Sequence, residues 1–283
     1  MKIAIVGDIH GFWDPEDVQW FNESDRNAVL FTGDLAGFRH EAMLRVARSI
    51  GELEKPAVLV PGNHDTAPLL PFLAELSGND LLRRLSRNQA VRARELHEAL
   101  GPVRVGAWSR HPIEDIDVIV GRPHPMGGSE FSFARHLRDV HGVQDMDASV
   151  ARLKALVDGA RDRIVFLAHN GPTGLGERRQ DIFGCDFRPE EGDWGDSDLR
   201  EAIDHAVASG KTVLAVVAGH MHHGLKGGGK RTWQVERDGI LYVNAARVPR
   251  VFGVGGTRRS RKMRHHVLLT LSDAGAEAEE VLT

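Results

Sequence analysis

Short apolar runs rich in β-branched residues recur along the chain, and a glycine or proline stands close after each of them. Five runs have this form, at residues 3–6, 28–31, 57–60, 164–168 and 213–218. Runs of this length that are apolar at nearly every position are typical of strands buried on both faces of a sheet. The pattern therefore predicts a set of core strands.

Segments with helical spacing of apolar residues lie between these runs. They occur at residues 41–50, 150–157 and 198–209. Strands that alternate with helices indicate an α/β architecture. Three further strand candidates follow with little helix between them, at residues 232–236, 240–244 and 266–271. This change from alternating strands and helices to consecutive strands suits a second sheet.

Each of the five apolar runs leads into residues that commonly bind metal ions. These residues are Asp8, His10, Asp34, Asn63, His64, Asp65, His169, His220 and His222. Binding sites in α/β sheets collect at the carboxyl ends of strands. Residues two apart in an extended segment share a side. Both members of the Asp8/His10 pair, and both members of the His220/His222 pair, can therefore reach the same cluster. The sequence therefore predicts one polynuclear metal site assembled from separate loops.

Composition sets limits on the class of protein. The chain has 283 residues, 41% hydrophobic and 27% charged, which fits one large globular α/β domain. Its single cysteine, Cys185, excludes an intramolecular disulfide framework and fits a reducing compartment. Strand-like residues begin at Lys2, which leaves no room for a signal peptide, and no apolar run reaches about 18 residues. We expect a cytoplasmic protein without a membrane segment.

The ordered motifs resemble those of the calcineurin-like metallophosphoesterases. The family pattern is D-x-H, GD, GNH(D/E), a lone His and GHxH, and these strings stand here in that order between residues 8 and 222. The strings GNHD and GHMH, each after a strand, make the combination specific. The resemblance implies a four-layer α/β/β/α sandwich of two facing mixed sheets flanked by helices. We expect a single domain over residues 1–283, with room for a cap-like insertion within residues 66–162.

The resemblance also implies roles for the motif residues. One metal ion would be held by Asp8, His10, Asp34 and His222, and the other by Asp34, Asn63, His169 and His220. The reaction implied is hydrolysis of a small phosphodiester or phosphomonoester by a hydroxide on the dinuclear centre. His64 would donate a proton to the leaving oxygen, Asp65 would orient His64, and Asn63 would contact metal and phosphate together.

The donor types bear on the identity of the two divalent metals. A set of imidazoles, carboxylates and one amide suits Mn, Fe, Zn or Co better than the all-oxygen sites of Mg or Ca. The sequence does not choose among these ions.

Residues that recognise the substrate must come from the connecting loops, because the motif residues occupy only the floor of a pocket. We expect residues 122–129 to cover one side of the cluster and to set substrate choice. The candidates for substrate binding are Arg122, His124, Asn170 and Arg247, with Ser129, Thr173 and Asn244 beside them. For each of these, a turn-forming or surface role is an equally good interpretation.

Two alternatives remain beside a small-molecule phosphoesterase. A nuclease would need a basic track and aromatic platforms, and a net charge of −4 with one tyrosine argues against nucleic acid as the partner. The basic stretch at residues 253–264 is either a solvated loop or a rim that attracts phosphate. A catalytically inactive binding scaffold with this fold would be expected to lose ligands, and every ligand position is filled. The oligomeric state stays open.

Overall fold

The computed structural model of the chain describes residues 1–37, 39–66, 89–254 and 261–283. Six helices lie in these ranges: α1 (Pro15–Glu23), α2 (His40–Ile50), α3 (Gln89–Leu100), α4 (Ala134–His141), α5 (Met146–Asp158) and α6 (Ser197–Ala208). The strands of the same ranges are β1 (Lys2–Val6), β2 (Ala28–Phe31), β3 (Ala57–Leu59), β4 (Arg104–Val105), β5 (Ser109–Ile113), β6 (Ile116–Val120), β7 (Arg163–Leu167), β8 (Thr212–Ala218), β9 (Gln234–Arg237), β10 (Ile240–Asn244), β11 (Val251–Val254), β12 (Arg261–Ser272) and β13 (Gly275–Leu282).

The strands form two mixed sheets. In the first, the order is β11-β12-β1-β2-β3-β4, with β13 also paired to β12. Its strands β1 to β4 are parallel, and β12 runs antiparallel to β1. In the second, the order is β5-β6-β7-β8-β10-β9, and the four inner strands are parallel. Parallel strands bring their carboxyl ends to one edge of each sheet, and this is where the site lies.

The two sheets face each other, and helices cover their outer faces. Ile5 and Leu30 of the first sheet share one buried cluster with Val165 and Val217 of the second. Helices α1, α2 and α3 pack on the outside of the first sheet, and α5 and α6 on the outside of the second. The four-layer α/β/β/α sandwich expected from the resemblance is therefore confirmed.

Strand β1 shows why the core runs are apolar at every position. Ile3 and Ile5 lie in the cluster between the sheets, whereas Ala4 and Val6 lie in the cluster under the helices. Successive side chains of a strand point to opposite faces, and here both faces are covered. A strand in this position has no polar face.

The chain crosses between the sheets more often than the pattern suggested. The strand candidates at 232–236 and 240–244 correspond to β9 and β10, which extend the second sheet beside β8. The candidate at 266–271 lies in β12, which returns to the first sheet and pairs with β1. Pairing partners depend on distant residues, so the strand pattern alone could not assign these strands to a sheet.

The long stretch between the third and fourth motifs contributes to the sandwich itself. Strand β4 joins the first sheet, β5 and β6 join the second, and α5 packs on the outer face of the second sheet. Residues 67–88 of this stretch, and residues 255–260 of the basic stretch, lie outside the described residues.

Candidate metal centre and substrate cleft

The loops that follow the core strands make tight turns where the two sheets meet. Four residues of these turns, Asp8, His10, Asp34 and His220, have φ values of 36°, 45°, 53° and 64°. Left-handed backbone is strained for residues other than glycine, and such strain concentrates at functional sites. Hydrogen bonds between loops hold the turns, including one of 2.8 Å from the His10 N–H to the Asp34 carbonyl.

A first group of donor atoms converges at these turns. Asp8, His10 and His222 each offer one ligand atom, and these atoms lie within 4.8 Å of one another. The Nε2 atoms of His10 and His222 are 3.2 Å apart. Asp34 Oδ2 lies 3.8 Å from His10 Nε2. These are the four residues expected to share one metal ion.

A second group converges on His169. Its Nε2 atom lies 2.8 Å from Asn63 Oδ1, 3.2 Å from His220 Nδ1 and 3.7 Å from Asp34 Oδ1. The other ring nitrogen, Nδ1, lies 2.6 Å from the Thr32 carbonyl oxygen. A carbonyl only accepts, so Nδ1 carries a proton, and Nε2 is the nitrogen whose lone pair serves a metal when the ring is neutral. Thr32 thus sets the tautomer of His169, a role that no sequence motif indicated.

Asp34 lies between the two groups. Its Oδ1 atom faces His169, and its Oδ2 atom faces His10. The Oδ1 atom also accepts the His64 N–H at 2.9 Å. A carboxylate with one oxygen directed to each group has the arrangement that a bridging ligand needs.

Electrostatics favours ionised carboxylates and a neutral His220 at the site. It raises the pKa of His169 and His222, because the Asp8 and Asp34 carboxylates outweigh the opposing effect of burial on both imidazoles. Burial acts to raise the pKa of the Asp8 carboxyl, but the hydrogen bond with His222 and the neighbouring imidazoles lower it below its ordinary range. The pKa of Asp34 is also lowered, because His169 and other imidazoles outweigh burial. Burial lowers the pKa of the His220 imidazole to about 3. Ionised carboxylates and a neutral imidazole are the ligand forms of these groups, so this donor set fits divalent metals.

The glycines of the motifs allow the loops to approach each other. A Cβ atom on Gly62 would lie 2.2 Å from Asp34 Oδ1, and one on Gly219 would lie 2.2 Å from Asp8 Oδ1. Both distances are far below contact, so any side chain at these positions would displace a candidate ligand. The glycines before Asn63 and His220 are therefore a requirement of packing.

Asp65 acts on the backbone of the loops. Its Oδ2 atom accepts the N–H groups of Asp34 and Gly62 at 2.9 and 2.8 Å, and its Oδ1 atom accepts that of Leu35 at 2.7 Å. The carboxylate thus ties the loop after β3 to the loop after β2, a role beyond the expected orientation of the His64 ring. His64 is half-buried, and its ring centroid lies 5.6 Å from that of His10.

A cleft of about 770 Å³ opens over the cluster. Asp34, Asn63, His64, His220 and His222 line one side of it. The other side is formed by residues of two loops and by Lys226; these loop residues are Met126, Gly127, Gly128, Ser129, Glu130, Ser132, Asp186, Phe187, Arg188 and Trp194. The loop after β6 thus lines the same cleft as the cluster, and of residues 122–129 the lining contains Met126, Gly127, Gly128 and Ser129.

Arg122 and His124 stand at the start of that loop, but neither of them lines the cleft. The Arg122 guanidinium is buried and donates to Asp196 at 2.9 Å and to Asp198 at 3.0 Å. His124 is buried too, and its Nδ1 atom lies 2.7 Å from the Gly62 carbonyl oxygen. Burial lowers the pKa of His124 to about 3. These contacts are at odds with substrate binding, because both side chains are used to hold the loops together.

Asn170 and Arg247 are also engaged elsewhere. The Asn170 amide is buried and donates to the Trp194 carbonyl at 2.8 Å, so it supports the cleft wall from behind. The Arg247 guanidinium lies 3.4 Å from Glu280 Oε1 and 4.5 Å from the centroid of the Phe252 ring. Neither residue lines the cleft.

The far wall of the cleft is formed by residues between the His169 motif and helix α6, which no sequence pattern indicated. The available signal was the length of that connection, about 25 residues without a predicted element, since long connections in compact domains are usually functional. Phe187 and Trp194 within it were the residues to single out. Loop residues carry no periodicity, so their position beside the cluster was not predictable.

Comparison with known proteins identifies the family. A family model for calcineurin-like phosphoesterases matches residues 1–224. TT1561 of Thermus thermophilus is 14% identical with a TM-score of 0.53, covering 98% of this chain and 97% of that chain. A dimetal phosphatase from Danio rerio is 13% identical with a TM-score of 0.50, covering 100% of this chain and 98% of that chain. At such identities these structures show a shared fold alone.

Two negative findings complete the comparison. No curated protein matches the chain at a significant level. Within the described ranges, no helix combines the length and the apolar character needed to cross a membrane. The family match nevertheless extends over most of the chain and over every candidate ligand. The chain therefore belongs to the calcineurin-like phosphoesterase family, whose members typically bind two divalent metal ions and generally hydrolyse phosphoester bonds.

Proposed function

We propose that this protein is a metal-dependent phosphoesterase that hydrolyses a small phosphodiester or phosphomonoester. The observation that supports the proposal is the position of Asp34, whose two oxygens face separate groups of imidazole and carboxylate donors. The cleft above these donors gives a phosphate ester access to both groups. No family ligand position is lost, which argues against an inactive scaffold.

The candidate ligands divide into two sets that share Asp34. Asp8, His10 and His222 would complete one set, and Asn63, His169 and His220 the other. The mixture of imidazole nitrogen and carboxylate oxygen favours Mn, Fe or Zn. Two bound ions would supply a nucleophile at neutral pH and would stabilise charge on the transferring phosphoryl group.

Three residues of the GNHD string have further roles at the site. His64 lines the cleft together with the candidate ligands, so we assign it the role of proton donor to the leaving oxygen. Asn63 directs its amide oxygen to the second donor group, which leaves the amide N–H groups for a phosphate oxygen. Asp65 positions the loop that carries both, through its three backbone hydrogen bonds.

The proposal is tested by metal content and hydrolysis measured on the same samples. The protein is analysed for metal, stripped with a chelator and reloaded with Mn, Fe or Zn. Hydrolysis of 4-nitrophenyl phosphate and bis(4-nitrophenyl) phosphate is followed at each stage. Turnover should be lost on stripping and restored on reloading, and the ratio of the two rates assigns the ester type.

Asp34→Asn should lose metal and turnover together, because one substitution removes a charge from both donor groups. Asp158→Asn, on a surface carboxylate paired with His205, is the matched control and should change neither quantity. Metal-independent hydrolysis, or an Asp34→Asn protein with normal metal content and rate, would contradict the proposal.

A further inference from the structure

The far side of the cleft carries an aromatic corner, which we define as Phe187 and Trp194. Their ring centroids lie 5.0 Å apart with the planes at 88°. The Phe187 side is open, since this residue is 39% exposed. An exposed phenyl ring costs free energy in water, and within a concave pocket it marks a surface for an apolar or planar group.

Trp194 is fixed in place by the loop after β6. Its indole N–H donates to the Met126 carbonyl at 2.7 Å. Gly127 has φ +76°, and a Cβ atom there would lie 2.2 Å from Trp194 Cδ1. The glycine thus permits close contact between the loop and the indole ring. The aromatic corner is therefore a preformed wall, which lowers the entropic cost of stacking a ligand on it.

Two cations flank the aromatic corner. Arg188 Cζ lies 4.3 Å from the Trp194 ring centroid, and Lys226 Nζ lies 5.6 Å from that of Phe187. The charge of the nearby Asp186 carboxylate is compensated by Arg231, whose guanidinium donates to it at 2.9 Å, and the carboxylate also accepts the backbone N–H of Lys226 at 2.8 Å. Glu130 is the remaining acidic residue of this wall. Aromatic faces combined with Arg and Lys are the surface that stacks nucleobases without reading their sequence.

The aromatic corner and the metal-ligand cluster belong to one cleft. His64, His220 and His222 line the same space of about 770 Å³ as Phe187 and Trp194. Clefts of roughly 300–1,000 Å³ accept ligands of about nucleotide size. A ligand with a phosphate at one end and a planar group at the other would contact both sides.

We propose that the substrate is a phosphate ester that carries a planar aromatic group of nucleobase size. The planar group stacks on Phe187, beside Arg188 and Lys226, while the phosphate lies at the metal-ligand cluster. This inference rests on the proposed phosphoesterase function and names its substrate class. It also explains why the cleft exposes an aromatic ring opposite the polar candidate ligands.

The test compares two probes that resist hydrolysis. One is the phosphonate of adenosine 5′-monophosphate in which CH₂ replaces the ester oxygen, and the other is ethylphosphonate, which lacks the nucleoside. Each is titrated by calorimetry into the full chain loaded with Mn. The nucleoside phosphonate should bind at least roughly tenfold more tightly, which is the scale of one stacked base.

Substitutions at the aromatic corner separate stacking from general apolar contact. Phe187→Ala should weaken the nucleoside phosphonate by roughly tenfold and leave ethylphosphonate unchanged, whereas Phe187→Tyr should retain the affinity. Val207→Ala, on the exposed surface of α6, is the matched control and should alter neither affinity. Equal affinities for the two probes, or full retention of affinity by Phe187→Ala, would overturn the inference.

Two further outcomes separate this inference from the proposed function. If model esters are hydrolysed but the two phosphonates bind equally, only the substrate class is overturned. If no ester is hydrolysed but the adenosine-dependent gain persists and disappears in Phe187→Ala, the aromatic corner is upheld and the phosphoesterase function fails. Tighter binding of a single-stranded tetranucleotide than of the nucleoside phosphonate would overturn the assignment to a small ester and favour a nucleic acid.

Discussion

The two sides of the cleft are built in different ways. On the cluster side, every candidate ligand stands at or just after the end of a core strand, in loops joined by hydrogen bonds such as those of Asp65. On the opposite side, Phe187 and Trp194 stand on a long connection between β7 and α6, where Trp194 is held by hydrogen bonds with Met126, Asn170 and Phe183. The first side has little freedom to change without loss of the metal-ligand geometry, whereas the second can change its side chains while the sandwich stays intact. We infer that chemistry and selectivity are separable in this molecule.

The largest effect that tests this comparison is expected at His64. His64→Ala should lower turnover by ~10²-fold or more, the usual scale for a positioned acid–base group, while metal content stays near normal. The loss should be smallest for an ester with an acidic leaving alcohol, which needs little protonation. Steady-state rates across a series of aryl esters measure this dependence.

The control for His64 is His205→Ala on the outer helix α6, which should leave rates and metal content unchanged. An equal loss for every leaving group would argue against proton donation. Loss of metal in His64→Ala would instead identify His64 as a metal ligand.

A smaller effect, on stability as well as rate, is expected at Asp65. Asp65→Asn replaces one acceptor oxygen by an NH₂ group facing a backbone N–H, so at least one buried donor loses its partner. Unsatisfied buried groups cost about 1–3 kcal/mol, and the free energy of unfolding in urea should fall by that amount. Metal affinity should fall as well, because Asp34 N–H is among the bonds weakened.

The result at Asp65 distinguishes two roles. A normal unfolding curve and normal metal affinity, together with an altered pH dependence of turnover, would support the expectation that Asp65 orients the His64 ring. Phe187→Ala provides the counterpart from the other side of the cleft and should leave both stability and metal affinity near normal.

The smallest effect at neutral pH is expected at a buried histidine outside the cleft. His266 packs between Trp20 and Phe21, with ring centroids 4.7 and 5.3 Å away. Burial, together with the charges of Arg26 and Arg250, lowers its pKa to about 3. The unfolded chain binds a proton at this residue near pH 6.5, so its contribution to stability is lost as the pH falls from about 6.5 towards 3.

His266→Phe should therefore reduce the acid sensitivity of unfolding between about pH 6.5 and pH 4, with unchanged kinetics at neutral pH. Thermal unfolding of both proteins across this range provides the measurement. An identical pH dependence in the two proteins would mean that His266 contributes nothing to it.

Most of the fold and most of the cluster followed from the sequence for one physical reason. A core strand has apolar residues on both faces, and the fixed direction of parallel strands brings Asp8, Asp34 and His169 to the same region. The helices predicted at 41–50, 150–157 and 198–209 are present as α2, α5 and α6. Periodicity is a local property that neighbouring residues reveal, and the alternation of strands with helices indicates that the strands run parallel.

The substrate side could not be predicted because it depends on which side chains remain free after folding. Arg122 has the charge to bind a phosphate, but in the folded chain its guanidinium is paired with Asp196 and Asp198. These two residues lie more than seventy positions further along the sequence. Phe187, in contrast, has no motif around it and becomes notable only when it is seen beside the cluster. Contacts between distant loops decide both cases.

The most direct test of the account is the metal content and geometry of the loaded protein, determined by elemental analysis and anomalous diffraction from crystals. The account predicts two ions per chain, both in contact with the Asp34 carboxylate, with His169 and His220 on one ion and His10 and His222 on the other. A single ion, or two ions of which only one contacts Asp34, would contradict it.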